Sequence, residues 1–467
     1  MTLDIPMRID RASGVSIRAQ IVQQLRNALE SGLLPSGRPV PSSRALATGL
    51  GVSRSTVVSA LQELEGEGWI ESSQGSGTVV SRRLDATSST DHDLDQSETS
   101  SGQDIEIDMR PGDLNPEDIS RAGWRAAWRS IEPSTTPPPP PGCLELREAL
   151  SAYLGSSRGL PCHPRQIVVC AGTSEALTLL ALAFRWQGRT VAVEDPGYPA
   201  VRRTFHALGV SWEPVDVTDP DQLLANLQST ETSIAAAYLT PSHQYPLGHR
   251  IAPDMRSDIL RWANRAGVIL IEDDYDSEFR FGVSPLPSLA GLDTTASTIY
   301  LGTMSKVLDP GLRLSYLRVP THLLGPVLET RDMLGTTVAA PVQQAVTHLL
   351  SSGELARHIA RVRRLYQDRR LTMLRSLERI PAIDHITGAE AGLHVLASLR
   401  QGVSASAAVE QARSRGIYIT DLDDYRARPD MSSPGLVLGY GQLKPATIRR
   451  AVNRLATLPA LRETNDG

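Results

Sequence analysis

Thr303-Met304-Ser305-Lys306-Val307-Leu308-Asp309-Pro310-Gly311-Leu312-Arg313 is the stretch on which the reading of this chain turns. Lysine and arginine together number 47, yet only two of them are lysines, Lys306 and Lys444. A chain that writes nearly all its positive charge as arginine, and keeps a lysine between hydroxyls and an arginine, has a use for a primary amine there. An ε-amine condenses with an aldehyde, which a guanidinium does not do. The plain alternative is a surface lysine with no special task.

The usual aldehyde in a protein is pyridoxal 5'-phosphate, and Thr303, Ser305 and Arg313 suit its phosphate with hydroxyl donors and a planar fork. Partners lie upstream, each after a predicted strand. Strand-like apolar runs fall at 166–170, 190–194, 234–239, 268–272 and 297–301, with helical stretches such as 174–185 and 253–266 between several of them. This alternation predicts an α/β unit with a mostly parallel sheet, helices on both faces and ligands at the carboxyl ends of the strands. After the first run, Ala171-Gly172-Thr173-Ser174-Glu175 is a small turn opening a helix, suited to a phosphate or simply an ordinary cap. After the fourth, Glu272-Asp273-Asp274-Tyr275-Asp276 offers an acid for a protonated pyridine nitrogen and a tyrosine for the ring hydroxyl, or only a polar strand end.

At 467 residues the chain suggests two or three domains, and 40% hydrophobic residues with a net charge of -5 describe a soluble globular protein. Charge must then be counted by segment, since an acidic domain masks a small basic one. Cys143, Cys162 and Cys170 form no CxxC pair, so neither a disulfide framework nor a metal site is indicated and a reducing interior is expected. The N-terminus lacks a basic and apolar leader, and no apolar run reaches membrane length; the expectation is cytoplasmic, with no membrane partner.

In the first segment Ile17, Ile21, Leu25 and Leu29 recur every fourth residue, one stripe of an amphipathic helix over 16–29. Shorter helices fit 42–50 and 53–65, each opened by serine, with Gly51-Val52 as the turn between them. Trp69-Ile70-Glu71-Ser72, Gln74-Gly75-Ser76-Gly77 and Thr78-Val79-Val80 read as a hairpin with a glycine-rich tip. A helix-turn-helix followed by a wing predicts a DNA-binding module whose second helix offers Ser53, Arg54, Ser55 and Thr56 to the major groove, although a helical cap on a larger domain would also fit. Over residues 1–83 nine arginines face seven acids, so binding should rest on a few placed arginines and on dimerisation. Residues 84 to about 104 are acidic and rich in Ser and Thr, a self-repelling tether or an acidic tail, and Pro137 to Pro141 is a rigid loop.

Pro41-Ser42-Ser43-Arg44, Gly51-Val52-Ser53-Arg54-Ser55-Thr56-Val57 and Gly75-Ser76-Gly77-Thr78 make this segment resemble the winged-helix domain of GntR-type bacterial regulators. That resemblance implies contacts to double-stranded DNA from Arg44 and Arg54, a groove lined by Ser53, Ser55 and Thr56, and Gly75, Ser76 and Gly77 in the minor groove. The remainder, through Glu194-Asp195-Pro196-Gly197-Tyr198-Pro199, Thr240-Pro241-Ser242-His243-Gln244, the 271–280 run and Ala391-Gly392-Leu393-His394, is similar to the fold-type I pyridoxal phosphate enzymes of the aspartate aminotransferase class. Winged helix plus such a domain resembles the MocR subgroup of the GntR regulators over nearly the whole chain. The expected organisation is a DNA-binding domain at 10–83, a linker at 84–105 and an aminotransferase-like domain at 106–467, its large part about 150–340 and its small part mainly 345–467.

By that resemblance Lys306 would carry the cofactor, Asp273 would pair with the ring nitrogen and Tyr275 would bond the ring oxygen. Thr173, Ser174, Thr303, Ser305 and Arg313 would hold the phosphate, with Tyr198 and His243 near the ring. A head-to-tail homodimer acting on paired half-sites is also implied. Two departures stand out. Where the enzymes carry Asn-Pro-Thr-Gly this chain reads Tyr245-Pro246-Leu247-Gly248, and where they carry the arginine that clamps the substrate carboxylate it offers Val437 before Leu438-Gly439-Tyr440. Without that clamp an amino acid binds weakly and in poor register. The expectation is a sensor, with pyridoxal phosphate as effector and vitamin B6 synthesis genes as targets. The alternatives are a regulator sensing an amino acid, such as a γ-amino acid, and an active aminotransferase fused to a DNA-binding domain.

Overall fold

The computed structural model describes residues 7–30, 33–35, 37–73, 77–81, 105–230, 233–388, 390–430 and 433–462. The chain divides into two compact units, Met1–Gly102 and Gln103–Gly467. Gly75 and Ser76 of the expected wing tip, and all of the expected tether 84–105 but Ile105, lie outside the described residues.

In the first unit α1 spans Ile17–Glu30 and buries Ile21 and Leu25, as its four-residue spacing dictates. Helix α2, Ser43–Leu50, begins at Ser42, whose side chain accepts the Ala45 N–H, and ends at Gly51 in the left-handed region at φ 63°. Helix α3, Arg54–Gly66, is capped the same way by Ser53, which accepts the Thr56 N–H. Val57, Ala60 and Leu64 of α3 join the α1 stripe in one core with Ile70 and Val80. Those last two face each other in the antiparallel hairpin of β1, Ile70–Ser73, and β2, Gly77–Val80. The residues before α2 add an isolated bridge to this hairpin that the sequence did not reveal: Pro39 pairs with Val79, and the Val40 N–H donates to the Thr78 carbonyl at 2.8 Å.

The second unit opens with β3, Ile107–Asp108, and holds a seven-stranded sheet. Its strands are β4 (Ile167–Cys170), β5 (Thr190–Asp195), β6 (Ser211–Asp216), β7 (Ile234–Leu239), β8 (Ile269–Asp274), β9 (Thr298–Thr303) and β10 (Ser315–Arg318). Their order is β4-β10-β9-β8-β7-β5-β6, and only β10 runs against its neighbours. The five expected strands are present; β4, β7 and β9 are buried throughout, and β5 and β8 are buried except at their ends, as a doubly covered sheet requires. Two were missed. Strand β6 lies at the edge, half exposed and interrupted by Pro214, and β10 is a four-residue strand that reads as the tail of the Lys306 run.

A second sheet, β11-β12-β15-β14, comprises Ile383–Thr387, His394–Leu399, Gly435–Gly439 and Thr420–Asp421 in that order. The remaining strand β13, Ile417–Tyr418, pairs in parallel with β3 and so ties the start of the unit to its end. The arginine-rich helix Glu354–Leu377 packs Val362, Tyr366, Met373 and Leu377 into the core beneath this sheet.

Candidate functional site

The carboxyl ends of β4, β7, β8 and β9 meet around a cavity of about 230 Å³. Thr173, Ser174, Tyr198, Asp273, Tyr275, Thr303, Ser305, Lys306 and Arg313 all line it. His243 does not. It is buried one side chain back, its Nδ1 3.0 Å from the Tyr275 hydroxyl and 3.0 Å from Asp276 Oδ2.

One end of the cavity is built for an anion. Thr173 and Ser174 open the helix Thr173–Ala183 behind Gly172, whose φ of 107° excludes side chains and whose place for a Cβ lies 2.6 Å from Arg313 Nη2. Free N–H groups, the helix dipole, two hydroxyls and a guanidinium therefore converge. Arg313 itself sits in the left-handed region at φ 46°, just after the turn Pro310–Leu312 that Asp309 caps. Thr303 Oγ1 accepts the Ser305 N–H at 3.1 Å, which fixes the loop carrying Lys306. Behind the helix opening, Glu175 accepts the Ala171 N–H at 3.0 Å and pairs with the buried Arg331, a brace the sequence reading did not see.

At the other end the period of a strand sorts three consecutive acids. Asp273 faces the cavity, while Glu272 and Asp274 face away. Glu272 accepts the Leu289 and Ala290 N–H groups at 2.9 Å each. Asp274 pairs with buried Arg158 and accepts the Tyr300 hydroxyl at 2.7 Å. Asp273 Oδ2 accepts from Tyr238, a residue without a sequence signal, and its Oδ1 is buried with no partner among the described residues. Burial pushes the Asp273 carboxyl up to about 7, against the Tyr238 bond that pulls it down. Lys306 Nζ donates to the Gly112 carbonyl at 2.9 Å, and burial lowers its pKa against the pull of Asp113, Asp276 and Asp273. A Cβ on Gly112, at φ 89°, would stand 2.3 Å from Nζ, so the amine needs glycine there.

The wall is aromatic. Tyr245, in the place of the enzymes' asparagine, stands edge-on to Tyr198, Tyr275, His394 and Tyr425 at centroid distances of 5.7, 5.6, 5.1 and 5.4 Å. Val437 is wholly buried in an apolar cluster with Leu396, Leu422 and Tyr425 and does not line the cavity.

These residues fit a phosphate-bearing pyridine aldehyde. The orphaned Asp273 oxygen awaits a ring N–H, the Gly172 cradle with Arg313 suits the phosphate, and Lys306 is the amine between them. In the first unit the α3 start presents exposed Arg54, while Ser53 Oγ turns inward to Ser55 Oγ at 2.9 Å and Thr56 Oγ1 at 2.7 Å. Arg54 Nε donates to Ser43 Oγ at 3.3 Å, and exposed Arg44 lies one residue further along α2. Gly77 opens β2.

Residues 17–80 match the family model for bacterial regulatory proteins of the gntR family, and residues 115–455 match that for class I and II aminotransferases. The chain is 36% identical over 454 residues to the HTH-type pyridoxine biosynthesis transcriptional regulator PdxR of Corynebacterium glutamicum, covering 96% of this chain and 97% of that protein. It is 30% identical over 472 residues to the probable rhizopine catabolism regulatory protein MocR of Rhizobium meliloti, covering 96% and 94%. Among solved structures, an archaeal alanine:glyoxylate aminotransferase superposes with a TM-score of 0.71 at 25% identity, over 76% of this chain and 91% of that one. The α-aminoadipate aminotransferase LysN of Thermus thermophilus, complexed with N-(5'-phosphopyridoxyl)-L-leucine, gives 0.68 at 26%, over 76% and 92%.

Proposed function

Because the chain belongs to the MocR-type regulators of the GntR family, a winged-helix unit joined to a class I and II aminotransferase-like unit, we propose that it is a transcription regulator that binds pyridoxal 5'-phosphate at Lys306 and responds to that cofactor as its effector. One observation carries the choice of effector. The residues suited to the cofactor share one cavity, while the place of the arginine that would clamp an amino acid's carboxylate is filled by Val437 inside an apolar cluster.

When bound, the cofactor supplies an aldehyde carbon and an electron-withdrawing ring. The chain's own residues do the rest. Asp273, ionised opposite a ring N–H, keeps that nitrogen protonated and the ring oriented. Thr173, Ser174 and Arg313 hold the dianion. Tyr198 and Tyr245 exclude water from the ring faces. On this reading, occupancy favours one arrangement of a homodimer, and with it one spacing of the winged helices on paired half-sites. Arg44 and Arg54 supply the DNA contacts, with Ser53 shaping the α3 start. The regulation of vitamin B6 synthesis genes is the physiological role that suits such an effector, and the Corynebacterium relative is named for pyridoxine biosynthesis.

The test is operator binding by the full chain, with and without the cofactor, beside Lys306→Ala. The proposal expects a visible absorption band and altered DNA affinity for the parent, and neither for the variant. An amino acid that changes operator binding of the loaded chain, while the cofactor alone changes nothing, overturns it. Conversion of the loaded chain to the pyridoxamine form by amino acids would instead mark an active transaminase.

A further inference from the structure

His243 is buried between the loop after β7 and the loop after β8, 1% exposed, with one ring nitrogen serving two neighbours. Nδ1 stands 3.0 Å from Asp276 Oδ2, 3.3 Å from Asp276 Oδ1 and 3.0 Å from the Tyr275 hydroxyl. The other nitrogen, Nε2, is buried with no partner among the described residues. The fold leaves the ring no room to move: a Cβ on Gly392 would lie 2.3 Å from His243 Cε1 and 2.4 Å from Asp276 Oδ2.

That geometry decides where the protons sit. A proton on Nε2 would be a buried donor without an acceptor, and it would leave the Nδ1 lone pair facing a carboxylate. A proton on Nδ1 satisfies Asp276 and reaches the Tyr275 oxygen as well. Tyr275, whose phenol burial and Asp276 hold well above its ordinary pKa, keeps its own proton. With its oxygen already accepting from Nδ1–H, its O–H is free to point into the cavity that it lines. We propose that His243 and Asp276 are a positioning pair for the effector site: Asp276 fixes the proton on His243 Nδ1, and Nδ1–H turns the Tyr275 hydroxyl proton toward the ring oxygen of the bound cofactor. This rests on the reading of the cavity as a pyridoxal phosphate site.

A donor aimed at the ring oxygen lowers that oxygen's basicity, and with it the pH at which the proton beside the Lys306 nitrogen is lost. Other ionisable groups face the pair: Asp273 from β8, Glu194 from β5, Lys306 after β9, Tyr245 and His249 after β7, and His394 from β12. His394 is pushed down to about 3 by burial and by His243, so it stays neutral throughout the range of interest. His243 helps to lower His394, and the Asp276 charge helps to raise Lys306 and Asp273, so substitutions at His243 that leave Asp276 in place give the cleaner comparison.

The experiment is a pH titration of the visible absorption band of the loaded full chain. His243→Phe, which keeps a ring and removes both nitrogens, should raise the midpoint by about one pH unit, the lower size of a hydrogen bond to a charged oxygen. Asp276→Asn should raise it less, because losing that negative charge also pulls the Lys306 nitrogen down, and Tyr275→Phe should set the ceiling. His243→Asn, whose amide N–H stands near the place of Nδ1, should stay close to the parent, a rescue that a merely structural role does not give. Should the phenylalanine variant fail to fold, the contrast between His243→Asn and His243→Leu decides. Titration of His243→Phe or His243→Leu together with the parent, while Tyr275→Phe shifts, overturns the pairing. Absence of any band in the parent overturns the cofactor reading instead.

Discussion

Asp273→Asn isolates charge from shape at the base of the cavity. Asparagine keeps the size of the side chain and, through its carbonyl, the bond accepted from Tyr238. It loses the negative charge that the orphaned Oδ1 would offer to a ring N–H. A hydrogen bond to a charged group contributes roughly 1.5–3 kcal/mol and a neutral one about 0.5–1.5, so the change should cost about 1–2 kcal/mol of cofactor affinity. That is about five- to thirty-fold in Kd. Equilibrium titration of the unloaded full chain with pyridoxal phosphate, followed by absorption, measures it, and near-ultraviolet circular dichroism checks that the variant is folded. Tyr238→Phe is the control, since it removes a donor and leaves the charge; its effect on affinity should be the smaller one. Binding by a folded Asp273→Asn within twofold of the parent would refute the pairing of this acid with the ring nitrogen.

Glu194 is pushed up to about 7 from its ordinary 4.5 by burial. It holds its proton more firmly folded than unfolded, so its stabilising share is complete below pH 4.5 and is lost as pH rises to 7. Compared with the parent, Glu194→Gln should therefore gain up to about 3 kcal/mol between those limits, and a difference independent of pH would sink the claim. Half-buried His249 and buried His358 and His394, all lowered by desolvation, titrate the opposite way and cancel in that comparison. Arg158→Ala strands Asp274 in the core and should cost about 3–5 kcal/mol in denaturant unfolding; a loss under about 1 kcal/mol would show the pair to be solvated. In the first unit Ser53→Ala should lower stability by about 0.5–2 kcal/mol through its lost cap, whereas Arg54→Ala should spare stability and weaken operator binding; the reverse pattern would misplace the DNA surface. Val437→Arg should destabilise the fold without conferring transamination, because the guanidinium would be buried among Leu396, Leu422 and Tyr425; detectable turnover in a stable variant would refute this.

What the sequence made legible was local or periodic. Serines at 42 and 53 announced their helices because an N-cap is a short-range bond, and the runs at β4, β5, β7, β8 and β9 were readable because both faces of a parallel strand are buried. Strand alternation even separates Asp273 from its two acidic neighbours once the strand is given. Contacts between distant segments left no such trace. Tyr238 under Asp273, Arg331 behind Glu175, Arg158 beneath Asp274 and the Gly112 carbonyl on Lys306 each join residues that are far apart in the chain. Pro214 and the brevity of β10 hid two strands from a pattern tuned to long apolar runs. His243 was named from a motif, and a motif gives the neighbourhood of a side chain without its direction.

Tyr245 and Val437 act on different halves of the same problem. A transaminase must hold the cofactor and also orient a second molecule against it, and the two tasks use separate residues. Here Tyr245 is packed edge-on among four surrounding rings, Tyr198, Tyr275, His394 and Tyr425, in the place of an asparagine amide. On the proposed reading Tyr275, whose hydroxyl lies 3.0 Å from His243 Nδ1, is the donor on that side of the ring. The clamp position has gone further: it holds Val437, a residue of β15 wholly buried in an apolar cluster. On the proposed reading, a site altered in this way gains free energy from the cofactor and spends none of it on orienting a substrate. That free energy is available to bias one conformation of the chain over another, which is what a sensor requires and an enzyme does not.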